Sequence, residues 1–175
     1  MTEIRLLAAV ATLFTLAACG GGGASITTTP PTDTTTVPTI TWNLVWSDEF
    51  DGAAGASVDP AKWVFDLGDG CPANCGWGNN EKEYYTNGTE NASLDGQGHL
   101  AMVARPAALD VSCYYGPCRY TSAKISTRGK LAAAPGRVEA RIRIPRGQGL
   151  WPAFWMLGND FPTVGWPASG ELDIM

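Results

Sequence analysis

The chain is 175 residues long, enough for one domain and a tail, and it carries 12 Lys and Arg against 17 Asp and Glu, a net charge of -5. No basic stripe is present to neutralise phosphates, which argues against nucleic acid as a partner. Charged residues are only 17%, with 21 Gly, 12 Pro and 7 Trp, which fits a β-rich exported protein with many turns; no internal repeat is visible, and no run reaches the roughly 20 apolar residues that span a membrane.

Arg5 precedes a short apolar run, Leu6 to Ala18. It has the length of a signal-peptide core, although Glu3 offsets Arg5 and weakens the charged lead-in. The run ends in Leu16-Ala17-Ala18-Cys19-Gly20, which resembles a bacterial lipobox. That resemblance implies cleavage before Cys19 and acylation of Cys19, with small side chains at Ala17 and Ala18 admitting the peptidase. An ordinary secretory signal with an incidental Cys is the alternative. Residues 1–18 are thus read as a lipoprotein signal peptide. Residues 19–41, Gly-rich and then Thr/Pro-rich, hold too few large apolar side chains for a core and read as a disordered tether. A glycosylated, mucin-like stalk is the other reading. The expected location is the bacterial cell surface or periplasm, or release outside the cell, with the membrane touched only through the lipid.

The globular part is expected over residues 42–175. Trp42, Leu44 and Trp46 alternate with Asn43 and Val45, a strand-like start, and Ser47-Asp48-Glu49-Phe50-Asp51-Gly52 is turn chemistry. Asp59 before Pro60 predicts one capped helical turn. Gly70 to Glu81, reading GCPANCGWGNNE, is too rich in Gly and Asn for regular structure and predicts a loop. No Lys-Ser/Thr pair follows it, so it is not a phosphate loop. Asn87-Gly88-Thr89 and Asn91-Ala92-Ser93 are glycosylation sequons, expected to go unused in a bacterial protein. Leu100 to Arg105 alternates as a strand, and His99 at its start reads as structural. Ala123, Ile125 and Thr127 share one strand face. Gly136 to Ile144 is the cleanest β pattern: Val138, Ala140, Ile142 and Ile144 face a core, and Arg137, Glu139, Arg141 and Arg143 face out.

The last stretch carries the chemistry. Ser169-Gly170-Glu171-Leu172-Asp173-Ile174-Met175 places two acids among apolar residues at period two. On a strand, Glu171 and Asp173 then share one face, and Leu172 and Ile174 share the other and can enter a core. Two adjacent acids repel, a poor choice for a structural strand and a good one for acid–base or nucleophilic work. Trp151, Trp155 and Trp166, just upstream, are flat surfaces on which a sugar ring can stack. Short strands, frequent turns and no long helix together predict an all-β sandwich.

Separate stretches between Trp42 and Met175 resemble glycoside hydrolase family 16, in particular its laminarinase-type endo-β-1,3-glucanases, among them Trp46 to Asp51, Gly76 to Glu81, Tyr120 to Ile125 and Ser169 to Met175. The resemblance implies a concanavalin A-like β-jelly roll with a concave sugar-binding sheet, acting as a monomer on β-glucan without a required cofactor. It implies Glu171 as nucleophile and Asp173 as helper in a Glu-x-Asp-x-x-Glu signature whose final Glu, the acid/base, would follow Met175. The chain therefore reads as an N-terminal fragment, inactive alone. A β-bulge at Met175 would return that Glu to the face of Glu171. The resemblance also places Gly76 to Glu81 along the substrate cleft, with Trp77 and Asn79 as sugar contacts beside Trp151 and Trp155; Trp77 pinning the loop is the alternative. It gives Glu81 and Glu83 no catalytic role. Glu49 would help hold a structural calcium ion, or simply cap backbone amides.

The expected reaction is retaining hydrolysis of β-1,3- or mixed β-1,3/1,4-glucan. A non-catalytic β-glucan-binding jelly roll and a transglycosylase are the rival readings. With Cys19 set aside, Cys71, Cys75, Cys113 and Cys118 remain. An even number in an exported chain suggests two disulfides. Of three connectivities, the local pairs Cys71–Cys75 and Cys113–Cys118 are favoured, and cross-pairing stays open.

Overall fold

A computed structural model describes the backbone of residues 3–9 and all of residues 40–108 and 110–175. Cys19 and nearly all of the tether lie outside the described residues, as does most of the stretch read as a signal peptide.

The described elements are almost all strands. They run β1 (Glu3–Ala9), β2 (Trp42–Asp48), β3 (Val64–Asp66), β4 (Glu83–Tyr85), β5 (Ala92–Leu94), β6 (Leu100–Met102), β7 (Arg105–Pro106), β8 (Ser112–Cys113), β9 (Gly116–Pro117), β10 (Tyr120–Ser122), β11 (Lys124–Ser126), β12 (Gly136–Arg141), β13 (Trp155–Leu157) and β14 (Glu171–Asp173). A 3-10 turn, Cys75–Gly78, and one helical turn, α1 (Phe161–Val164), interrupt them. The strands form sheets in the orders β12-β1-β2, β4-β10-β7, β11-β3, β13-β14, β5-β6 and β8-β9. All pairings are antiparallel except β4 with β10. The fold is all-β, as the alternation predicts. Among the described residues no helix is long and apolar enough to cross a membrane.

The core gathers where turn chemistry follows β2. Phe50, Val58, Trp63, Ala92, Leu94, Leu100 and Ala123 pack together, with Trp46, Phe65 and Ile125 against them. Asp48 anchors this core from within. Its buried carboxylate accepts from Trp63 Nε1 at 2.6 Å, Lys62 Nζ at 3.2 Å and the Phe50 amide at 3.2 Å. A buried carboxylate must be satisfied in this way or lose several kcal/mol. Asp59 caps the next turn, its Oδ1 accepting from Ala61 N at 2.8 Å, and the turn closes through Trp63 N to Asp59 O. Asn91 is a second hub, 0% exposed. It accepts from Thr86 Oγ1 and donates to Val103 O and Thr121 Oγ1, which ties the residues just past β4 and β6 to β10 and closes its sequon to a glycan in the folded state. His99 belongs to the β5–β6 turn, where Nδ1 pairs with Asp95 Oδ2 at 2.6 Å.

The alternation misplaces some apolar side chains. Leu172 is 58% exposed and Ile174 45% exposed, so neither enters a core. β14 pairs only with β13 among the described residues, and no second layer covers that face. Ile144 is likewise exposed, because β12 stops at Arg141. Period-two patterning separates two faces and does not state which one is covered.

Candidate active site

β13 and β14 build the acidic end of the site. In their antiparallel register Trp155 stands opposite Asp173, Met156 opposite Leu172 and Leu157 opposite Glu171. Directly opposed residues project from the same face. Glu171, Asp173, Trp155 and Leu157 therefore share it, and both carboxylates are exposed. Gly158 lets the hairpin close, since a Cβ there would meet Ser169 O at 2.1 Å. Past Asp173 the pairing changes. Phe154 O accepts from both Ile174 N (2.9 Å) and Met175 N (3.0 Å), while Phe154 N donates to Met175 O (2.8 Å). Two residues facing one is a β-bulge, which reverses the alternation beyond it.

A second group of side chains meets Trp155 from the other strands. Lys124 Nζ, on β11, lies 5.2 Å from the Trp155 ring centroid, 4.2 Å from that of Trp77 and 5.9 Å from that of Tyr85. Trp77 and Tyr85 centroids are 5.7 Å apart. One ammonium thus gathers three aromatic rings, a cation–π arrangement that strengthens as water is excluded. Tyr85 Oη is 2.7 Å from Glu81 Oε2 and 2.9 Å from Glu83 Oε1. Burial pushes the Tyr85 phenol well above its usual range, helped by the hydrogen bond to Glu81 and the charges of Glu83 and Glu81. Burial also lowers the Lys124 ammonium, against the opposing pull of Asp66 and Glu81.

Trp77 sits in the 3-10 turn with φ 52° and donates its indole N–H to Gly68 O at 3.2 Å. It is half-buried and both pins the loop and faces Lys124. Asn79 is exposed and donates to Glu81 Oε1 at 3.4 Å. Trp151 is 75% exposed, and among the described residues no ring contact joins it to this cluster. The cysteines pair locally, Cys71 with Cys75 and Cys113 with Cys118. Among the described residues no three His, Cys, Asp or Glu groups converge on a metal position. A calcium ion at Glu49 would have to draw on backbone carbonyls and water, which calcium accepts.

Lys124 and Tyr85 are the members of the cluster to which the sequence alone assigns no role, while Glu81 and Glu83, named there as acids without a catalytic role, meet at the Tyr85 hydroxyl. The signal was present for Lys124: with Ala123 and Ile125 on the core face, alternation turns Lys124 to the opposite one. A half-buried Lys there marks that second face as covered.

No protein-family model matches the chain. Among curated proteins, a β-glucanase of Rhodothermus marinus is 46% identical over 138 residues, covering 77% of this chain and 43% of that protein. A β-1,3-glucan-binding protein of Penaeus monodon is 51% identical over 55 residues, covering 31% of this chain and 15% of that protein. Among solved structures, the catalytic domain of an endo-1,3-β-glucanase (laminarinase) from Thermotoga petrophila superposes with a TM-score of 0.68 at 47% identity, over 77% of this chain and 51% of that one. The chain is homologous to the laminarinases of glycoside hydrolase family 16. It has their β-jelly-roll fold, of which the short sheets above are part. The chain spans about half the length of the laminarinase domain it superposes on.

Proposed function

We propose that the protein is a retaining endo-β-glucanase that hydrolyses β-1,3- or mixed β-1,3/1,4-glucan. The β13–β14 hairpin carries this reading: two exposed carboxylates share a face with Trp155, and a bulge follows at once. Retaining hydrolysis needs two carboxyl groups about 5–5.5 Å apart, one to attack and one to protonate. Glu171 attacks the anomeric carbon and forms the glycosyl-enzyme bond as the glycosidic C–O bond breaks. The leaving oxygen takes a proton from the acid/base. Water then gives a proton to that same group, attacks the anomeric carbon and frees Glu171. Asp173 is too near along the same strand to serve as the acid, and acts on the charge of the reacting carboxylates. A residue beyond the bulge is turned back towards the Glu171 face and can supply the acid. Trp155 and Trp77 provide ring surfaces at the strand face and loop.

The test is reducing-end release from laminarin by the complete gene product and its Glu171→Gln variant. The amide keeps the shape and loses the nucleophile, so activity is expected to fall by at least roughly a thousandfold with oligosaccharide binding retained. Full activity in the variant removes Glu171 from the mechanism. A second reading, a β-glucan-binding jelly roll, draws on the partial likeness to a protein named for that binding. It predicts laminarin binding with no reducing ends released by the wild-type protein.

The Leu16-Ala17-Ala18-Cys19 run supports export and lipid anchoring at Cys19. Cys19→Ala is expected to move the protein from the membrane to the soluble fraction. A wild-type protein that is already soluble, with its mature N-terminus elsewhere, ends that reading.

A further inference from the structure

Two disulfide loops meet behind Trp77. The Cys71–Cys75 loop runs into the turn that carries Trp77, and the Cys113–Cys118 bond closes the β8–β9 hairpin. Asp69, 7% exposed, joins the two. Its Oδ1 accepts from Cys71 N at 3.1 Å and its Oδ2 from Tyr114 N at 2.6 Å. A buried carboxylate held by two backbone amides is fixed, because losing either donor leaves charge under-satisfied in a dry place.

The Tyr114 ring is thereby laid against the residue before Trp77. Gly76 is buried at φ +64°, and a Cβ built on it would come within 2.9 Å of Tyr114 Cε1. Gly76 N also donates to Asp69 O at 2.7 Å. Lys82 fastens the assembly from the outside. Its Nζ donates to Tyr114 Oη at 2.6 Å and lies 4.8 and 5.0 Å from the Tyr114 and Tyr115 ring centroids. Tyr115 Oη donates to Lys82 O. Trp77 itself holds a left-handed backbone, φ 52°, that a side-chain-bearing residue keeps only when its surroundings enforce it.

We propose that Tyr114, presented by the Cys113–Cys118 hairpin, is a positioning residue that sets Trp77 for substrate. It touches neither Glu171 nor Asp173, and it acts through the Gly76–Trp77 backbone. The inference rests on the reading of Trp77 as a sugar platform, so its test separates the two. In the complete gene product, the Trp77 indole N–H resonance is assigned by comparison with Trp77→Ala and followed without sugar; KM and kcat on laminarin are measured alongside. Tyr114→Ala is expected to shift the indole resonance and raise KM several-fold with kcat held within about twofold. Tyr114→Phe keeps the ring against Gly76 and is expected to restore both resonance and KM. The double variant with Trp77→Ala is expected to show no rise in KM beyond that of Trp77→Ala alone, since both changes act through one contact. An unmoved indole in folded Tyr114→Ala, or additive KM effects, overturns the proposal. Should Trp77→Ala leave KM unchanged, the sugar-platform reading fails, and the indole resonance alone decides the positioning: a shift supports it and an unmoved resonance overturns it.

Discussion

A phenol proton serves one acceptor at a time, and Tyr85 has two carboxylates within reach, Glu81 and Glu83. Whichever accepts it, the other stays close to the phenol oxygen and resists its ionisation. Burial works in the same direction, so the folded state holds this proton more tightly than the unfolded chain does. A raised pKa contributes stability that is present in full below the unfolded value of 10.0 and lost as pH rises past it, because only the unfolded chain then releases the proton. Lys124 has the opposite sign. Its lowered pKa lets the unfolded chain bind more protons below the ordinary 10.5, so stability attributable to it grows with pH towards that value. Tyr85→Phe isolates the phenol. It is expected to cost about 1–2 kcal/mol near neutrality, from the lost charge-assisted bond, and the wild type's advantage is expected to shrink above about pH 10. Urea unfolding of the two proteins across that range checks it. A difference that stays constant with pH would mean that the Tyr85 proton is not held in the folded state.

The elements differ in how far local sequence reveals them. Glu171 and Asp173 read as sharing a face because alternation is a local property, and β14 places both beside Trp155. The bulge was expected at Met175 from the spacing of the resembled signature, and Ile174 and Met175 together face Phe154. The Gly70 to Glu81 run was legible as a loop from its Gly and Asn content. Its left-handed turn at Gly76 and Trp77 was not, because Tyr114 and Asp69 press on it from positions distant in sequence. Nor does any local pattern announce that β4 runs parallel to β10, or that Lys124 reaches Trp77 and Trp155 at once. Both depend on how strands far apart in the chain are brought side by side. β1 makes the same point differently: its backbone lies between β2 and β12, and cleavage before Cys19 would take that strand out of the sheet.

At the scale of the whole molecule, the outward faces decide how residues 1–175 behave alone. The core around Trp63 is small, and large apolar side chains at Leu44, Val45, Ile144, Leu172 and Ile174 are exposed. Several of these sit on or beside β2, β12 and β14, strands whose alternation marks one face for burial. Soluble monomers rarely leave contiguous apolar patches beyond a few hundred Å² uncovered. Such faces are the kind that a second layer of a sandwich covers. Covering them contributes at roughly 25 cal/mol per Å², and leaving them bare also leaves the strands free to pair with other chains. The expected outcome is that a polypeptide of residues 1–175 binds the dye ANS strongly and unfolds in urea over a broader range than the complete gene product. It is also expected to release no reducing ends from laminarin, because Glu171 and Asp173 lie on one strand face and neither is placed to protonate the leaving oxygen. A sharp, cooperative transition without dye binding would show that these faces are already covered. Turnover by that polypeptide would place the acid elsewhere among its own residues, and Glu81 and Glu83, beside Tyr85 and across Lys124 from Trp155, would be the first carboxylates to substitute.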